Sequence, residues 1–337
     1  MSSTTVHAYA AHSADGTLEA FTYELPEIRY DQVDIAVDFC GLCHSDLSMI
    51  RNEWGMTQYP IVPGHEVIGR VTALGEHVPG LTVGDRVGLG WYSASCMHCY
   101  HCMSGNHNVC QSAESTMLGR HGGFADRVRC HWSWATPLPD SLDAASAGPL
   151  FCGGITVFNP IATSGLKPTQ RVGVIGIGGL GHLALQFLSK WGCEVTAFTS
   201  SPSKADKARE MGAHHIVNSR SDSEMAAIAG SLDFILNTTN ANLNWQAYLD
   251  ALAPNGNLHT VGVVPDPIPV PAFTLISGQK SVSGSPLGSP ALVRDMIDFC
   301  ARHKIAPVTE QFAMADINDA IARLESGDAR YRVVLAN

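Results

Sequence analysis

Four cysteines within a short stretch of the chain have the spacing of metal ligands. Cys96, Cys99, Cys102 and Cys110 read C-x2-C-x2-C-x7-C. Two-residue gaps let successive thiolates turn inward on a tight loop, and four thiolates complete a closed tetrahedral zinc shell. A bacterial iron–sulfur run shares the first two gaps, but its fourth cysteine follows after three residues and precedes a proline. Here seven residues intervene. The pattern therefore predicts a structural zinc site, with four unrelated buried thiols as the alternative.

A second set of candidate ligands is spread over the first half of the chain. Cys43 stands in C-G-L-C-H-S-D, His65 in P-G-H-E and Cys152 in P-L-F-C. Taken singly each is a weak signal, because a lone histidine is more often packed or exposed and a cysteine in an apolar stretch is normally a core residue. Two thiols and an imidazole together form the Cys2His set of catalytic zinc, whose fourth position stays open to water or substrate. The combination predicts an open metal site.

A glycine-rich turn predicts a dinucleotide site. A G-x-G-x-x-G motif follows a predicted strand and opens a predicted helix, and its positions are Gly176, Gly178, Gly179, Leu180 and Gly181, with Ile177 as the second residue. In this context the first glycine permits the tight turn and the second lets the backbone approach the pyrophosphate at the positive helix N-terminus. The third allows the helix to pack on the strand. A glycine-rich turn without a ligand is the alternative.

The residues after the next strand favour NADP over NAD. An NAD site places an Asp or Glu at the end of this strand to bind the ribose 2′-hydroxyl. No acid lies between Val195 and Lys204, and the residues that could bind a 2′-phosphate are Thr199, Ser200, Ser201 and Lys204. A carboxylate would repel that phosphate, whereas hydroxyls and an ammonium bind it. Lys204 alone would be read as a solvated charge, so the missing acid is the stronger argument.

Two parts of the chain with different predicted secondary-structure patterns position these motifs. The first 150 residues are rich in short alternating segments broken by turn residues, which favours a small barrel or an irregular sandwich; the strands predicted there are Val33–Asp38, Val67–Leu74 and Arg86–Leu89. From Gly165 strands and helices alternate, which is typical of a parallel doubly wound sheet. The elements predicted in this part are strands at Val172–Ile175, Glu194–Phe198, Ile216–Val217, Phe234–Asn237 and Leu258–Val261, and helices at His182–Trp191 and Lys204–Met211. A helix at Ala291–Arg302 and a strand at Tyr331–Leu335 form a tail that returns to the first domain.

Composition excludes several classes of protein. The 337 residues are 45% apolar and 15% charged, which is globular and fits about two domains. A formal net charge of −10 argues against a nucleic-acid partner. Neither a signal peptide nor an uninterrupted apolar span is visible, so we expect a soluble, cytoplasmic protein with no membrane partner. In that compartment ten cysteines are reduced thiols, available to metals.

The motifs together resemble the zinc-dependent medium-chain alcohol dehydrogenases, and most closely their cinnamyl-alcohol-dehydrogenase-like branch of NADP-dependent aldehyde reductases. The likeness runs from C-G-L-C-H-S-D through G-H-E, the four-cysteine loop, P-L-F-C-G-G-I-T and G-I-G-G-L-G to the closing A-R-Y-R-V-V-L. It implies an α/β protein with a Rossmann-type dinucleotide-binding domain over residues 153–287. Residues 1–152 and 288–337 would form a discontinuous, mainly β catalytic domain of the GroES-like irregular-barrel type.

The resemblance also implies roles for the residues around the open metal site. Cys43, His65 and Cys152 would ligate the catalytic zinc, with Glu66 beside it as an occasional ligand. Asp46 would orient His65 through its other ring nitrogen. The catalytic residue Ser45 would hold the proton of the substrate oxygen, and His44 would lie near the cofactor phosphates. Many relatives carry a histidine where this chain has Ser48, so the proton route beyond Ser45 is left open.

Cofactor and substrate contacts follow from the same resemblance. The NADP-dependent members match the phosphate-contacting positions Ser200, Ser201 and Lys204. The remaining contacts with the nicotinamide half and the pyrophosphate would come from Thr156, Thr238, Val261, Gly262, Val263, Gly284, Ser285 and Arg332. The substrate pocket would be lined by Trp54, Trp91 and Tyr92, any of which could instead be ordinary core.

The expected activity is hydride transfer between NADP(H) and a broad range of aldehydes or primary alcohols, aliphatic or aromatic. Two zinc ions per chain and a homodimer or homotetramer are implied. An NAD-dependent zinc alcohol dehydrogenase is one alternative, although polyol and formaldehyde dehydrogenases of this kind would carry an acid near Thr199. A zinc-free quinone reductase would lack the three ligands of the open site. A zinc-stabilised, non-catalytic binding protein is the alternative from another class, and the absence of Lys or Arg from Ser93–Gln111 disfavours it.

Overall fold

The chain folds into two compact units. A computed structural model describes residues 3–201 and 204–337; of the predicted nucleotide segment, Pro202 and Ser203 lie outside the described residues. Residues up to Ile155 form the first unit together with Gly288–Asn337, and Thr156–Leu287 form the second. The first unit is therefore discontinuous in sequence.

The strands and helices of the described ranges are numbered in chain order. The strands are β1 (Thr4–Ala11), β2 (Leu18–Leu25), β3 (Gln32–Leu42), β4 (Val67–Leu74), β5 (Arg86–Leu89), β6 (Tyr92–Ala94), β7 (Glu114–Ser115), β8 (Arg127–His131), β9 (Thr136–Pro137), β10 (Arg171–Ile175), β11 (Glu194–Phe198), β12 (His215–Val217), β13 (Leu232–Asn237), β14 (Leu252–Thr260), β15 (Ser281–Gly284), β16 (Thr309–Ala313) and β17 (Arg332–Ala336). The helices are α1 (His44–Ile50), α2 (Tyr100–Met103), α3 (Ala144–Ala147), α4 (Gly153–Thr163), α5 (Gly181–Trp191), α6 (Ala205–Glu210), α7 (Asp222–Ala227), α8 (Trp245–Ala251), α9 (Ala272–Gly278), α10 (Pro290–His303) and α11 (Ile317–Glu325).

The first unit is built on a seven-stranded sheet. Its strand order is β16-β17-β3-β4-β5-β9, with β8 paired to β3; β16 and β17 are parallel and the other pairs are antiparallel. Close approach of strands depends on glycine at Gly69, where a Cβ would lie 2.0 Å from the carbonyl oxygen of Ala36. Two small sheets, β1-β2 and β6-β7, complete the unit. The predicted mainly β domain is confirmed.

The second unit is a six-stranded parallel sheet with the order β12-β11-β10-β13-β14-β15. Numbered from β10, this is the 3-2-1-4-5-6 order of doubly wound nucleotide-binding sheets, so that prediction is confirmed. The strand order reverses between β10 and β13, and ligands of such sheets bind at the carboxyl ends of the strands beside that reversal. The glycine motif follows β10 and Thr238 follows β13.

Helix α5 illustrates how sequence periodicity sets these elements. Leu183 and Phe187 lie four residues apart on its buried face, as the apolar period of a helix requires. Gly192 ends the helix with φ +105°, a left-handed conformation that glycine adopts at little cost. The helix begins at Gly181, one residue before the predicted start.

The helices of the described residues are short for a membrane. None of them is both long enough and apolar enough to cross a bilayer. The uncharged stretch of residues 144–166 is divided among α3, a 3-10 turn at Gly148–Phe151 and α4, and that of residues 172–189 is divided between β10 and α5.

Candidate metal centres and dinucleotide site

Four side chains that are far apart in sequence meet in the interior of the first unit. The ligand atoms of Cys43, His65, Glu66 and Cys152 all lie within 4.8 Å of one another, and all four residues are buried. The two Sγ atoms are 3.8 Å apart, and His65 Nε2 lies 3.3 Å from Cys152 Sγ. A tetrahedral zinc with ordinary bond lengths separates two sulfur ligands by about 3.8 Å and a sulfur from a nitrogen by about 3.6 Å. The donor set and its spacing therefore fit a zinc ion.

Backbone features bring these ligands together. Cys43 directly follows β3 and is the N-cap residue of α1. His65 and Glu66 lie between Gly64, with φ +99°, and the first residue of β4; a Cβ on Gly64 would lie 2.6 Å from the backbone nitrogen of Phe124. Cys152 ends the 3-10 turn Gly148–Phe151. Each ligand thus stands at the end of a regular element, where its backbone direction is fixed.

The Asp46 carboxylate forms hydrogen bonds with two of the ligand residues, Cys43 and His65. Its Oδ2 accepts the backbone N–H of Cys43 at 2.8 Å, and its Oδ1 accepts the backbone N–H of Gly64 at 2.9 Å. Oδ1 also lies 2.9 Å from His65 Nδ1. This contact favours the tautomer with hydrogen on Nδ1, so that Nε2 points its lone pair at the thiols. The structure brings Asp46 to the atom of His65 that the resemblance implied.

The electrostatics of the cluster favour an ionised thiol. The hydrogen bond from Cys152 lowers the pKa of Cys43 well below its usual value, against the opposing effect of burial, and Arg332 and His65 add to the lowering. Burial raises the pKa of Glu66 to about 7, although Arg332 opposes that shift. A thiolate is the form of cysteine that binds zinc.

Arg332 and Glu66 form a buried ion pair at the same centre. Arg332 Nη2 donates to Glu66 Oε1, while Glu66 Oε2 and Arg332 Nε have no hydrogen-bond partner among the described residues. Glycine is required at Gly41, because a Cβ there would lie 2.0 Å from Glu66 Oε2. The unpartnered Glu66 Oε2 is an additional oxygen atom beside the thiols that is available to coordinate a metal ion. The pyrophosphate contact of Arg332 stays a prediction.

Helix α1, which follows the ligand Cys43, begins with His44 and carries two serine hydroxyls, those of Ser45 and Ser48. His44 is exposed, Ser45 is half-buried and Ser48 is buried. The Ser48 hydroxyl donates to Glu53 Oε2 at 2.7 Å, and Glu53 is exposed. The hydroxyl that stands in place of the relatives' histidine is therefore bonded to a carboxylate that reaches solvent.

One of the three predicted pocket aromatics contacts a residue of the thiol cluster, and a second lies next to the first. The Trp91 ring meets the His65 ring edge to face, with centroids 4.9 Å apart, and Trp54 lies 6.1 Å from Trp91. Tyr92 instead packs against Trp134 at 5.3 Å. Neighbouring residues of an extended chain point to opposite faces, which explains why Trp91 and Tyr92 separate.

The four-cysteine loop forms the second cluster of ligand atoms. The Sγ atoms of Cys96, Cys99, Cys102 and Cys110 lie within 4.8 Å of one another, with 3.9 Å between Cys96 and Cys102 and between Cys99 and Cys110. Backbone N–H groups of His98 and Cys99 lower the pKa of Cys96 to about 6. None of these cysteines is in a disulfide, and the spacing fits a tetrahedral zinc–sulfur shell.

Substituting Cys99 by Ala should lower stability before it lowers turnover. The change removes one thiolate and the acceptor of the Cys102 backbone N–H. We expect loss of one metal ion per chain and a fall of roughly 10 °C in the unfolding midpoint. Metal analysis and thermal unfolding check this, with Ser104→Ala in the same loop as the control. A Cys99→Ala protein with full metal content and an unchanged midpoint would contradict the structural role.

Four cysteines lie outside both clusters. Cys40, Cys130, Cys193 and Cys300 are buried. Burial raises the pKa of Cys130 and Cys300 to about 12 and that of Cys193 to about 11. They remain protonated near neutral pH and pack as small apolar residues.

In the second unit the glycine motif has the geometry that the sequence required. Gly176 has φ +85°. A Cβ on Gly178 would meet no atom within 4 Å, whereas one on Gly181 would lie 1.9 Å from the carbonyl oxygen of Gly176. Thr238 closes the turn by donating to the carbonyl of Gly176 at 2.7 Å. The open space at Gly178, in the turn that leads into α5, suits an approaching pyrophosphate.

The segment after β11 carries the predicted phosphate contacts. Thr199 Oγ1 accepts the backbone N–H of Ser201 at 3.1 Å, which turns the chain. Ser200 and Lys204 are exposed, and Thr199 and Ser201 are half-buried. Thr199, Ser200 and Ser201 thus lie on a short turn at the carboxyl end of β11, and Lys204 directly precedes α6.

The other predicted cofactor residues lie at the carboxyl ends of neighbouring strands. Val261, Gly262 and Val263 follow β14, and Gly284 ends β15 with Ser285 directly after it. Gly262 is required, because a Cβ there would lie 2.1 Å from the carbonyl oxygen of Thr239. Thr156 lies on α4.

Sequence reasoning missed three features of these sites. Glu53 as partner of Ser48 carries no motif, and the need for glycine at Gly41 appears only once Glu66 is in place. The pairing of Arg332 with Glu66 joins positions 266 residues apart. The sequence offered one weak signal for these features: Glu53, Gly41 and Arg332 each lie close in sequence to a predicted element or site residue.

Comparisons with known proteins cover the whole chain. Residues 29–140 match the family model described as alcohol dehydrogenase GroES-like domain, and residues 179–302 match the zinc-binding dehydrogenase model. An aldehyde reductase, AdhA, of Synechocystis sp. is 55% identical over 98% of this chain and 99% of its own length. A probable cinnamyl alcohol dehydrogenase of Oryza sativa is 39% identical over 98% of this chain and 95% of its own.

Two solved structures share the fold at high similarity. The cinnamyl alcohol dehydrogenase of Sorghum bicolor superposes with a TM-score of 0.94 at 38% identity, covering 99% of this chain and 98% of its own. The Helicobacter pylori enzyme of the same type, solved in complex with NADP(H), superposes with a TM-score of 0.90 at 27% identity, covering 99% of each chain. The likeness extends over both units.

Proposed function

Because the chain belongs to the zinc-binding alcohol dehydrogenase family, in its cinnamyl-alcohol-dehydrogenase-like branch, we propose that it transfers hydride between NADP(H) and a broad range of aldehydes and primary alcohols. The observation that carries the proposal is the buried set of two thiols and one imidazole, Cys43, Cys152 and His65, at zinc-ligand spacing. A curated relative that is 55% identical and is named an aldehyde reductase supports the same reaction class.

Each group at the centre has a defined task in this proposal. Zinc held by Cys43, His65 and Cys152 supplies a Lewis acid for the substrate oxygen. Asp46 keeps His65 in the ligating tautomer through the 2.9 Å contact with Nδ1. Ser45 gives its hydroxyl proton to the substrate oxygen during aldehyde reduction and takes it back during alcohol oxidation.

During alcohol oxidation the proton continues from Ser45 toward solvent, and during aldehyde reduction it moves in the opposite direction. Ser48 lies three residues further along α1, and residues at this spacing share a helix face. Its hydroxyl is bonded to the exposed Glu53 carboxylate at 2.7 Å, which can exchange protons with water. The Ser48–Glu53 pair therefore takes the place of the histidine found in many relatives.

The cofactor is NADP(H) because no carboxylate stands where the ribose 2′-hydroxyl would need one. Reduced NADP supplies the hydride. Thr199, Ser200, Ser201 and Lys204 offer hydroxyls and an ammonium to the 2′-phosphate. A homologous structure that contains NADP(H) supports this choice.

The aromatic side chains of Trp54 and Trp91 favour aldehydes whose carbon skeleton is apolar. Trp91 contacts His65, and Trp54 lies next to Trp91. An apolar surface discriminates weakly between substrates that differ by a methylene, by about 10- to 200-fold. Breadth of substrate is therefore expected, with aromatic and medium aliphatic aldehydes among the best.

Metal analysis combined with a cofactor and aldehyde panel tests the proposal. We expect two zinc ions per chain and oxidation of NADPH by aromatic and aliphatic aldehydes, followed by the fall in NADPH absorbance. Turnover with NADH in preference to NADPH would favour the NAD-dependent alternative. Two zinc ions without any turnover would favour the non-catalytic binding protein.

A homo-oligomer formed through the second unit is the proposed assembly. Strand β15 is the edge of the parallel sheet, and Phe273 and Ile276 on the adjacent α9 are 79% and 73% exposed. An open edge with apolar side chains beside it is a pairing surface for a second copy.

Charging that surface should dissociate the assembly. Phe273→Glu combined with Ile276→Glu buries two carboxylates in the interface, so we expect monomers where the parent protein is a dimer or tetramer. Light scattering on a sizing column measures the mass. Val83→Glu changes an apolar side chain of the first unit that is also exposed, at 66%, and should leave the mass unchanged. A parent protein that is already monomeric would sink the assembly proposal.

A further inference from the structure

A buried histidine in the second unit is bonded on both ring nitrogens to serine hydroxyls. His259 lies on β14 and is 6% exposed. Its Nδ1 lies 2.9 Å from Ser283 Oγ, on the neighbouring strand β15, and its Nε2 lies 2.9 Å from Ser285 Oγ. The parallel register sets His259 directly opposite Ser283. The imidazole therefore bridges two hydroxyls two residues apart at the end of one strand.

The direction of these hydrogen bonds follows from the number of hydrogens available. The Ser283 hydroxyl has one hydrogen and donates it to Asn257 Oδ1 at 2.9 Å, so it must accept from Nδ1–H of His259. Burial lowers the pKa of His259 to about 4, so the ring is neutral near pH 7 and carries a single hydrogen. Nε2 is then a bare acceptor, and the Ser285 hydroxyl donates to it. A directed chain runs from Ser285 through His259 and Ser283 to Asn257.

This chain decides what Ser285 can offer to a ligand. Its only hydroxyl hydrogen is committed to His259, which leaves oxygen lone pairs and makes the side chain an acceptor. Ser285 directly follows Gly284 at the carboxyl end of β15. The family resemblance implies that these two residues approach the nicotinamide carboxamide. A carboxamide has N–H groups that match an acceptor.

We propose that His259 is a positioning residue that presets Ser285 as the hydrogen-bond acceptor for the amide N–H of the nicotinamide carboxamide. The inference rests on the proposed function, because it requires NADP(H) to bind in this unit. It adds a specificity element: the site selects the amide over cofactor analogues that lack an N–H there. A site that is built to bond a donor rejects the analogue without it.

Equilibrium binding of two dinucleotides to the full-length protein tests the proposal without turnover. The probes are NADP+ and its 3-acetylpyridine analogue, in which a methyl ketone replaces the amide, and titration calorimetry gives the dissociation constants. The parent protein should bind NADP+ more tightly than the analogue. His259→Leu should weaken NADP+ binding about tenfold and change analogue binding less than about twofold, so the preference is lost.

Ser285→Ala keeps the proposal testable if the buried substitution disturbs folding. It removes the acceptor itself from a half-buried position and should abolish the same preference. His215→Leu replaces an imidazole on β12, at the opposite edge of the sheet, and should leave both dissociation constants unchanged.

Four results would overturn the inference. Equal weakening of both dinucleotides by His259→Leu would mean that His259 only joins β14 to β15. An intact preference in Ser285→Ala would remove Ser285 from carboxamide recognition. A parent protein that binds neither dinucleotide would remove the proposed function together with this inference, whereas tight parent binding with unaltered variants would remove the inference alone.

Discussion

Replacing Cys152 by Ala is expected to reduce turnover by about 1,000-fold or more while the protein stays folded. The substitution removes one of the two thiols that lie 3.8 Å apart and leaves the open site with one thiol and His65. Zinc affinity of that centre then falls, and the Lewis acid that the reaction needs is lost. One zinc ion per chain should remain in the four-cysteine loop, which the change does not touch.

The matched control for this experiment is Cys300→Ala. Cys300 is fully buried in α10 and lies outside both thiol clusters. Its loss should cost stability through the cavity it leaves, with both zinc ions and turnover retained. Metal analysis and NADPH-dependent aldehyde reduction are measured on both variants. Normal turnover by Cys152→Ala would remove Cys152 from the catalytic centre.

The second large effect is expected from Ser200→Asp. Ser200 is exposed on the turn after β11, where a carboxylate would face the 2′-phosphate of NADPH. Charge repulsion and the lost hydroxyl should lower kcat/KM for NADPH about 100-fold, mainly through KM. NADH lacks that phosphate, so its kcat/KM should stay about the same or rise.

Ser164→Asp controls for the added negative charge. Ser164 is also exposed and follows α4, before β10 begins, so it stands at the amino end of the sheet and away from the strand ends that bind ligands. It should leave both cofactors unaffected. Equal losses for NADPH and NADH in Ser200→Asp would refute the phosphate contact.

Elements with a strong local signal could be predicted together with their bounds. Strands β4, β5 and β11 have the predicted bounds, since each is an apolar or β-branched run with a turn residue or polar segment at its end. The β1-β2 hairpin was missed because Thr4–Ala11 is rich in alanine, which has little preference for strands. Helix α9 was missed because its sequence, A-F-T-L-I-S-G, shows no polar face.

The candidate sites differ in the same way: some are formed by residues close in sequence and others by residues far apart in sequence. The four-cysteine loop was readable from spacing alone, because its ligands lie on one short segment. The open centre was predicted only from a combination of weak single signals, since Cys43 and Cys152 lie 109 residues apart, and the roles of the residues around it came from the resemblance. The bonds from His259 to Ser283 and Ser285 depend on strand register, which no spacing along the chain reveals.

The three hydrogen bonds of Asp46 bear on how the metal centre exchanges its ion. Cys43 and His65 are held in place by protein atoms, independently of any ion. When an ion leaves, these ligand positions therefore keep most of their geometry for the next ion. Exchange of the ion should be a local event, separable from unfolding of the chain that surrounds it.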